Sequence, residues 1–174
     1  MLEFRKATEQ DIDGVAVIYD AVHTEEENGR TTTGWRREIY PLRETAVQGV
    51  KDGDLFVLEV DGKVAATAKI NQEQVPIYAD GEWEYPAEPS EVMVLHTLAV
   101  LPSEMGKSYG PAFVDYYEKY ALQHGCPYLR MDTNERNVKA RKLYKKLGYK
   151  EIGILPCKFN GIPGVNLVLL EKKL

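Results

Sequence analysis

Little cysteine, little histidine and no uninterrupted apolar stretch set the first limits on this sequence. Cys126 and Cys157 are the only cysteines and show no C-x-x-C spacing, so neither a disulfide framework nor a zinc site is suggested. No metal is expected, and both thiols read as reduced structural residues. No segment approaches the roughly 20 apolar residues that span a bilayer. The opening Met1-Leu-Glu-Phe-Arg-Lys6 is a charged, strand-like segment instead of a signal peptide, so a cytoplasmic chain with no membrane contact is expected. Basic residues are outnumbered, 22 against 27 acidic, and the net charge of -5 argues against nucleic acid held by phosphate contacts.

What remains is a composition that can bury a core. At 174 residues, 44% hydrophobic and 28% charged, the chain fits one domain over 1–174 with one active site. Its charge is unevenly spread. Residues 1–90 carry 9 basic and 19 acidic side chains, and residues 91–174 carry 13 and 8, so a basic carboxyl half suits an anionic ligand and an acidic amino half suits a cation. Plain solvated charge is the alternative reading.

Neither an internal repeat nor a low-complexity tract is present. Phe4 and its neighbours read as a first strand, and Thr8 reads as the N-cap of a helix carrying Val15, Val17 and Ile18 that fades near Glu25. Residues 26–41 read as a mobile loop, followed by a helix over 43–50. Asp61-Gly62 between 55–60 and 63–70 is a hairpin signal. Residues 71–90, with three prolines, read as a loop, and 92–100 as a buried central strand because it is almost continuously apolar. A strand over 128–131 follows, and Ile152 to Leu155 pairs with Val165 to Leu170 through the turn Asn160-Gly-Ile-Pro-Gly164.

Two motifs carry chemistry. After the strand over 92–100 come Met105-Gly106-Lys107-Ser108-Tyr109-Gly110 and then Pro111, opening a helix with Phe113, Tyr117, Tyr120 and Ala121. A glycine-containing turn feeding a helix N-terminus offers free backbone N–H groups to an anion, and Pro111 needs no N–H in a first turn. An ordinary strand-to-helix turn has the same look, and the spacing is neither G-x-G-x-x-G nor a Walker A loop. In the second motif Asn137 leads a helix in which Ala140, Leu143, Tyr144 and Leu147 share one face, ended by Gly148. Its other face, with Lys139, Arg141, Lys142, Lys145 and Lys146, suits solvent.

Together with Phe4-Arg5-Lys6-Ala7 through Asp11, these two motifs make the whole chain resemble the GNAT superfamily of acyl-coenzyme A-dependent N-acetyltransferases. The family's phosphate turn usually reads Arg/Gln-x-x-Gly-x-Gly/Ala; here Met105 and Ser108 differ from it, while the binding groups are backbone N–H. The resemblance implies an α/β fold with a mixed, mostly antiparallel sheet flanked by helices, whose fourth and fifth strands splay apart. It implies acetyl-coenzyme A as the cofactor, lying along Leu98, Ala99 and Val100, over the turn from Met105 to Gly110, and against Asn137, Ala140 and Tyr144. The amine then attacks the thioester directly in a ternary complex. Tyr144 supplies a proton or hydrogen bond to the leaving thiolate, and a strand N–H near Leu98 meets the developing oxyanion. A core position on the apolar face of its helix is the alternative reading of Tyr144.

An alkylamine with a pKa around 10 needs a base before it can attack. Val94-Leu-His96-Thr-Leu-Ala-Val100 is similar to the strand of arylalkylamine N-acetyltransferases that carries paired histidines; His96 matches one and Val94 stands at the other. His96 is thus a candidate base or a hydrogen-bonded core residue, Glu91 is a second candidate, and His23 and His124 read as surface residues. Trp35, Tyr40, Tyr78, Trp83 and Phe159 are candidates to line the acceptor pocket. The acids Glu25, Glu26 and Glu27, with Asp80, Glu82, Glu84 and Glu88, suggest a negative rim drawing in a cationic amine. The expected partner is a small-molecule primary amine, with protein N-terminal or lysine acetylation and noncatalytic acyl-coenzyme A binding as the alternatives. The sequence is compatible with a homodimer and fixes no oligomeric state.

Overall fold

The computed structural model describes every residue from Met1 to Leu174. Seven strands, β1 (Leu2–Lys6), β2 (Leu55–Val60), β3 (Lys63–Asn71), β4 (Val92–Val100), β5 (Tyr128–Asn134), β6 (Lys150–Phe159) and β7 (Ile162–Lys173), form one sheet in the order β1-β2-β3-β4-β5-β7-β6. All neighbours are antiparallel except β4 and β5, which run parallel. Four helices cover it: α1 (Ile12–Glu27), α2 (Arg43–Asp52), α3 (Tyr109–Gln123) and α4 (Val138–Lys146).

Side-chain alternation sorts β4 and β5 onto two cores. Met93, Leu95, Leu129 and Met131 pack beneath α3 and α4, against Phe113, Val114, Tyr117 and Tyr144. Val92 and Val94 pack on the opposite face with Tyr78, Leu167 and Leu169. Helices α1 and α2 bury Val15, Tyr19 and Ala46 against Leu55 and Val57. The apolar stripe of α1 is therefore Val15, Ile18, Tyr19 and Val22; Val17, expected with them, is 59% exposed, because it lies off that stripe.

Three further expectations are refined. Helix α1 continues to Glu27, and the following loop is held down by Glu26, whose carboxylate accepts from Thr31 Oγ1, Thr33 N and Thr33 Oγ1 at 2.9, 2.8 and 2.7 Å. The last hairpin is longer than its apolar core suggests: β6 and β7 run to a two-residue turn at Asn160-Gly161, both left-handed at φ 51 and 80. The 72–91 segment holds two short 3-10 turns and is bolted to the sheet. Buried Glu171 accepts from Glu84 N at 2.6 Å, and Arg130 donates to Gln74 Oε1 at 2.6 Å while stacking on Trp83.

The sheet opens where it matters. β4 and β5 pair only from Val92↔Tyr128 to Leu95↔Met131, after which the two strands part. The closed end is fixed by the buried Tyr117 hydroxyl, which donates to Met93 O on β4 at 2.7 Å and lies 3.2 Å from Arg130 O on β5. Just past the last pair, β4 bulges: Thr97 and Leu98 together oppose Ala68 alone between Thr67↔Ala99 and Lys69↔His96. Thr97 takes φ 52, which for a β-branched residue costs about 1–2 kcal/mol. Its Oγ1 shares a hydrogen bond with the Tyr40 hydroxyl, which helps hold that geometry.

Candidate active site

A cavity of about 910 Å³ runs through this fork and reaches both faces of the sheet. On the α3 side it is built from backbone. The bulge reverses the alternation of β4, so Leu98 and Val100 turn toward the helical core and Ala99 toward α1. Leu101 N donates to Ala65 O on β3 at 2.9 Å, and alternation therefore points the N–H groups of Val100 and Leu98 the other way, into the fork.

The turn after β4 supplies the rest of that side. Met105 N is bonded to Pro102 O, but the N–H groups of Gly106, Lys107, Ser108, Tyr109 and Gly110 donate to no protein acceptor. Such a row of free N–H groups at the start of a helix of 15 residues fits a pyrophosphate. Gly106 at φ 86 needs to be glycine, whereas Ser108 at φ 62 accepts a strained conformation where glycine would be free. Met105 is half exposed at the cavity mouth, and Lys107 pairs with Glu104 at 2.6 Å; neither side chain is required by the row. Asn137 caps α4, its Oδ1 accepting from Ala140 N at 3.3 Å, and with Ala140 and Tyr144 it lines the same side of the cavity. Burial raises the Tyr144 hydroxyl to about 12, and the charge on Asp132 adds to the shift. Tyr144 therefore keeps its proton at neutral pH and has it to donate to a hydrogen bond.

On the opposite face the cavity is built from side chains. Tyr40, Thr97, His96, Asn71, Lys69 and Asp132 meet there, with Phe159, Ile162, Val165 and Leu167 from the last hairpin forming an apolar wall. The α1–α2 loop roofs the opening: Gly34, at φ 78, lies so close to β5 that a side chain there would collide with the Asn134 amide, and Trp35 follows it along the wall.

The His96 environment defines its proton. Asn71 Nδ2 donates to Asp54 Oδ2 at 2.7 Å and Asn71 Oδ1 accepts from Glu73 N at 2.9 Å, so the amide orientation is set. His96 Nε2, 2.7 Å from that same Oδ1, must be the protonated nitrogen, leaving Nδ1 with the lone pair. Burial and, next, the nearby Lys69 ammonium lower the imidazole to about 4, so it is neutral at physiological pH. Across the fork, burial raises the Asp132 carboxyl to about 7, opposed by the Tyr78 hydroxyl that donates to Oδ2 at 2.7 Å. Asp132 was not singled out by sequence. Only its place directly after the buried strand Tyr128–Met131, at the fork, marks it.

Of the acceptor candidates, Trp35, Tyr40 and Phe159 line the cavity. Tyr78, Trp83 and Glu91 stand apart from its wall. Tyr78 is core, 2% exposed, and reaches the site only by holding Asp132; Trp83 packs against Tyr78 and donates to its carbonyl at 2.8 Å. Glu91 is exposed at the closed end of the fork, where its carboxylate lies 3.3 Å from Glu88 N. The expected negative rim is largely neutralised: Glu25 pairs with Arg30, Glu27 with Arg37 and Glu84 with Lys150, and Glu26 is spent on its loop. Asp80, Glu82 and Glu88 lie outside the cavity wall. His23, expected at the surface, is buried beneath the loop with Nε2 2.8 Å from Pro41 O.

A sheet forked between parallel strands, with a phosphate-type amide row at its mouth, defines an acyl-coenzyme A-dependent transferase fold. The sequence model of the acetyltransferase (GNAT) family matches residues 18–149, and the chain belongs to that family. It is an acetyltransferase-type transferase, and acetyl-coenzyme A is the cofactor of the family. No curated protein matches the chain significantly. Among solved structures, a GNAT-family acetyltransferase from Streptococcus agalactiae is 23% identical with a TM-score of 0.82, over 99% of this chain and 95% of that one. Salmonella typhimurium yncA, solved with its cofactor acetyl-coenzyme A, is 16% identical with a TM-score of 0.71, over 100% and 94%. The ribosomal-protein-S18-alanine N-acetyltransferase of Escherichia coli is 17% identical with a TM-score of 0.67, over 99% and 94%. At these identities the likenesses establish the fold. No helix is long and apolar enough to cross a membrane.

Proposed function

We propose that residues 1–174 act as one catalytic domain that moves acetyl from acetyl-coenzyme A to a primary amine of a small molecule, by direct attack in a ternary complex. The observation that carries this reading is the two-sided fork: a row of free amides on one face opens into a roofed, side-chain-lined chamber on the other. Bound acetyl-coenzyme A supplies an activated acetyl thioester. The Gly106 to Gly110 amides hold its phosphates, with Asn137 and Ala140 beside them, and the Val100 and Leu98 backbone aligns its extended arm within the fork. A Leu98 N–H that already points into the opening meets the oxygen of the attacked carbonyl without reorganisation. Tyr144 faces the sulfur. With its hydroxyl near 12 and a thiol near about 8.5, full proton transfer to the thiolate is uphill, so Tyr144 acts mainly by donating a hydrogen bond.

The loop roof at Gly34 and Asn134 favours a small acceptor over a polypeptide chain, which needs an open path to the fork. The apolar wall from Phe159 to Leu167 favours an amine with an apolar body. A thiol-release assay with acetyl-coenzyme A and a panel of primary amines, amino acids and peptides tests the proposal. Turnover with small amines is expected. Thiol release with peptides only moves the assignment to protein acetylation, and binding of acetyl-coenzyme A without turnover on any acceptor leaves a noncatalytic acyl-coenzyme A module.

A further inference from the structure

We infer that Lys69 takes the carboxylate of the acceptor, which makes that acceptor an α-amino acid with an apolar side chain. The inference rests on the acetyl-transfer reading above and names the substrate class of that same chamber. It is opposite in sign to the cationic acceptor that the acid-rich amino half suggests.

Strand β3 puts the ammonium in the chamber. Ala66, Ala68 and Ile70 belong to the core under α3, so alternation turns Thr67, Lys69 and Asn71 to the other face of the sheet. Lys69 stands opposite His96 in the β3–β4 register and lines the cavity, its side chain 19% exposed. Its Nζ donates to no protein acceptor and is not sealed from the cavity. Asp54 Oδ2 lies 4.0 Å away, beyond hydrogen-bond reach, and already accepts from Asn71 at 2.7 Å. A partly buried ammonium with every donor unused is short of an anion.

No other cation is free to serve the chamber. Arg30 pairs with Glu25 at 2.6 Å, and Lys139 stands on α4, on the coenzyme side. Facing Lys69 are His96 from β4, neutral at pH 7, Tyr40 from the α1–α2 loop, raised by burial to about 12, and Asp132 across the fork. A second donor is at hand. The Tyr40 and Thr97 hydroxyls share one hydrogen bond, which uses one of their protons and leaves the other for a ligand. One ammonium and one spare hydroxyl proton match the two oxygens of a single carboxylate.

The order of the strands gives the connectivity. Across the sheet stand Lys69 on β3, then the fork between β4 and β5, then the apolar wall of Phe159, Ile162, Val165 and Leu167 on β6 and β7. Acetyl transfer takes place at the fork, so the reacting nitrogen lies between an anion-binding end and an apolar end. In an α-amino acid the carbon that bears the amine also bears the carboxylate and the side chain, one for each end. An ω-amino acid puts its apolar chain between nitrogen and carboxylate, and a simple alkylamine leaves Lys69 unmet.

The test pairs leucine, methionine and phenylalanine with the amines that lack their carboxylate, 3-methylbutylamine, 3-(methylthio)propylamine and 2-phenylethylamine. Wild type should show the higher kcat/KM with the amino acid of at least one pair. Lys69→Met should lower kcat/KM about 10- to 100-fold with the amino acids, as for the loss of a hydrogen bond between charged groups, and by a much smaller factor with the amines. Lys69→Arg, which keeps the charge, should retain more of the preference. Calorimetry with acetyl-coenzyme A should give the same affinity for all three proteins, which checks that the variants fold. With coenzyme A present, 4-methylpentanoate, which is leucine without its amine, should bind wild type about tenfold or more tightly than Lys69→Met, a reading that needs no turnover. Turnover of the amines but of no amino acid, equal losses on both members of a pair, or equal binding of 4-methylpentanoate overturns the assignment and leaves acetyl transfer standing. Failure of wild type to acetylate any amine or amino acid overturns instead the acetyl-transfer reading on which it rests.

Discussion

The two sides of the fork are built from different material. On the α3 side the cavity is lined by the Gly106 to Gly110 turn, whose main-chain N–H groups have no protein acceptor, and Met105 and Ser108 stand there where the family pattern usually has other residues. On the chamber side the groups are side chains from five separated stretches, Tyr40, Asn71, His96, Asp132 and Phe159, each fixed by its own packing. A backbone site survives substitution as long as its conformation does. A side-chain site changes its chemistry with a single residue, so under the proposed function the donor side tolerates sequence change that the acceptor side does not.

The largest effect expected from breaking this contrast is on turnover. Tyr144→Phe removes the donor at the sulfur and should lower kcat about 100-fold or more with little change in acetyl-coenzyme A affinity, measured by thiol release beside calorimetry. Unchanged turnover under chemistry-limited conditions makes Tyr144 a core residue only. Gly110→Leu should act in the opposite way, weakening acetyl-coenzyme A binding about tenfold or more in calorimetry. Only Leu143 Cδ2, 3.9 Å away, lies near a Cβ at this position, so the melting temperature should move little.

Stability against pH sharpens the chamber side. The folded Asp132 carboxyl is raised above its unfolded value, so its contribution is fully present below about 4 and is lost as pH rises through about 7. Wild type should therefore lose about 1–3 kcal/mol relative to Asp132→Asn between pH 4 and 8, a range discounted for the access of Oδ1 to cavity water. Urea unfolding of both proteins across that range measures the difference; parallel curves refute the raised value. The smallest effect belongs to Ser108→Gly. Relief of its left-handed conformation should stabilise by up to about 1 kcal/mol without harming acetyl-coenzyme A binding, read by thermal melting and calorimetry. Weakened binding would show that the serine side chain, and not its amide, takes part.

How much of this could be read from the sequence follows the same division. Asp61-Gly62, Pro111 after Gly110, and the spacing of Ala140, Leu143, Tyr144 and Leu147 are local signals, and the hairpin, α3 and α4 stand where those signals put them. The Thr97 bulge is not local. It arises because β3 and β4 differ by one residue in register, and threonine gives no sign of a left-handed φ. Tyr78 and Trp83 read as candidates for the pocket wall, beside the commoner reading of an aromatic as packing, and the Arg130 and Glu171 anchors that pull their segment onto the sheet are about 45 and 90 residues away in sequence. Asp132 acquires its character only when Tyr78 and the parting of β4 from β5 surround it. The rim acids looked unpaired because their arginine partners, Arg30 and Arg37, lie in the same loop that sequence alone leaves without a shape.

The contrast between a backbone-built donor side and a side-chain-built acceptor side is tested most directly by adding acetyl-coenzyme A to nitrogen-15-labelled protein and following each amide. The amides of Gly106 to Gly110 and those of Leu98 and Val100 should shift together and saturate, while those of Lys142 and Lys145 on the basic outer face of α4 stay in place. Shifts confined to the lysine face, or none at millimolar cofactor, would contradict the placement of the donor in the fork.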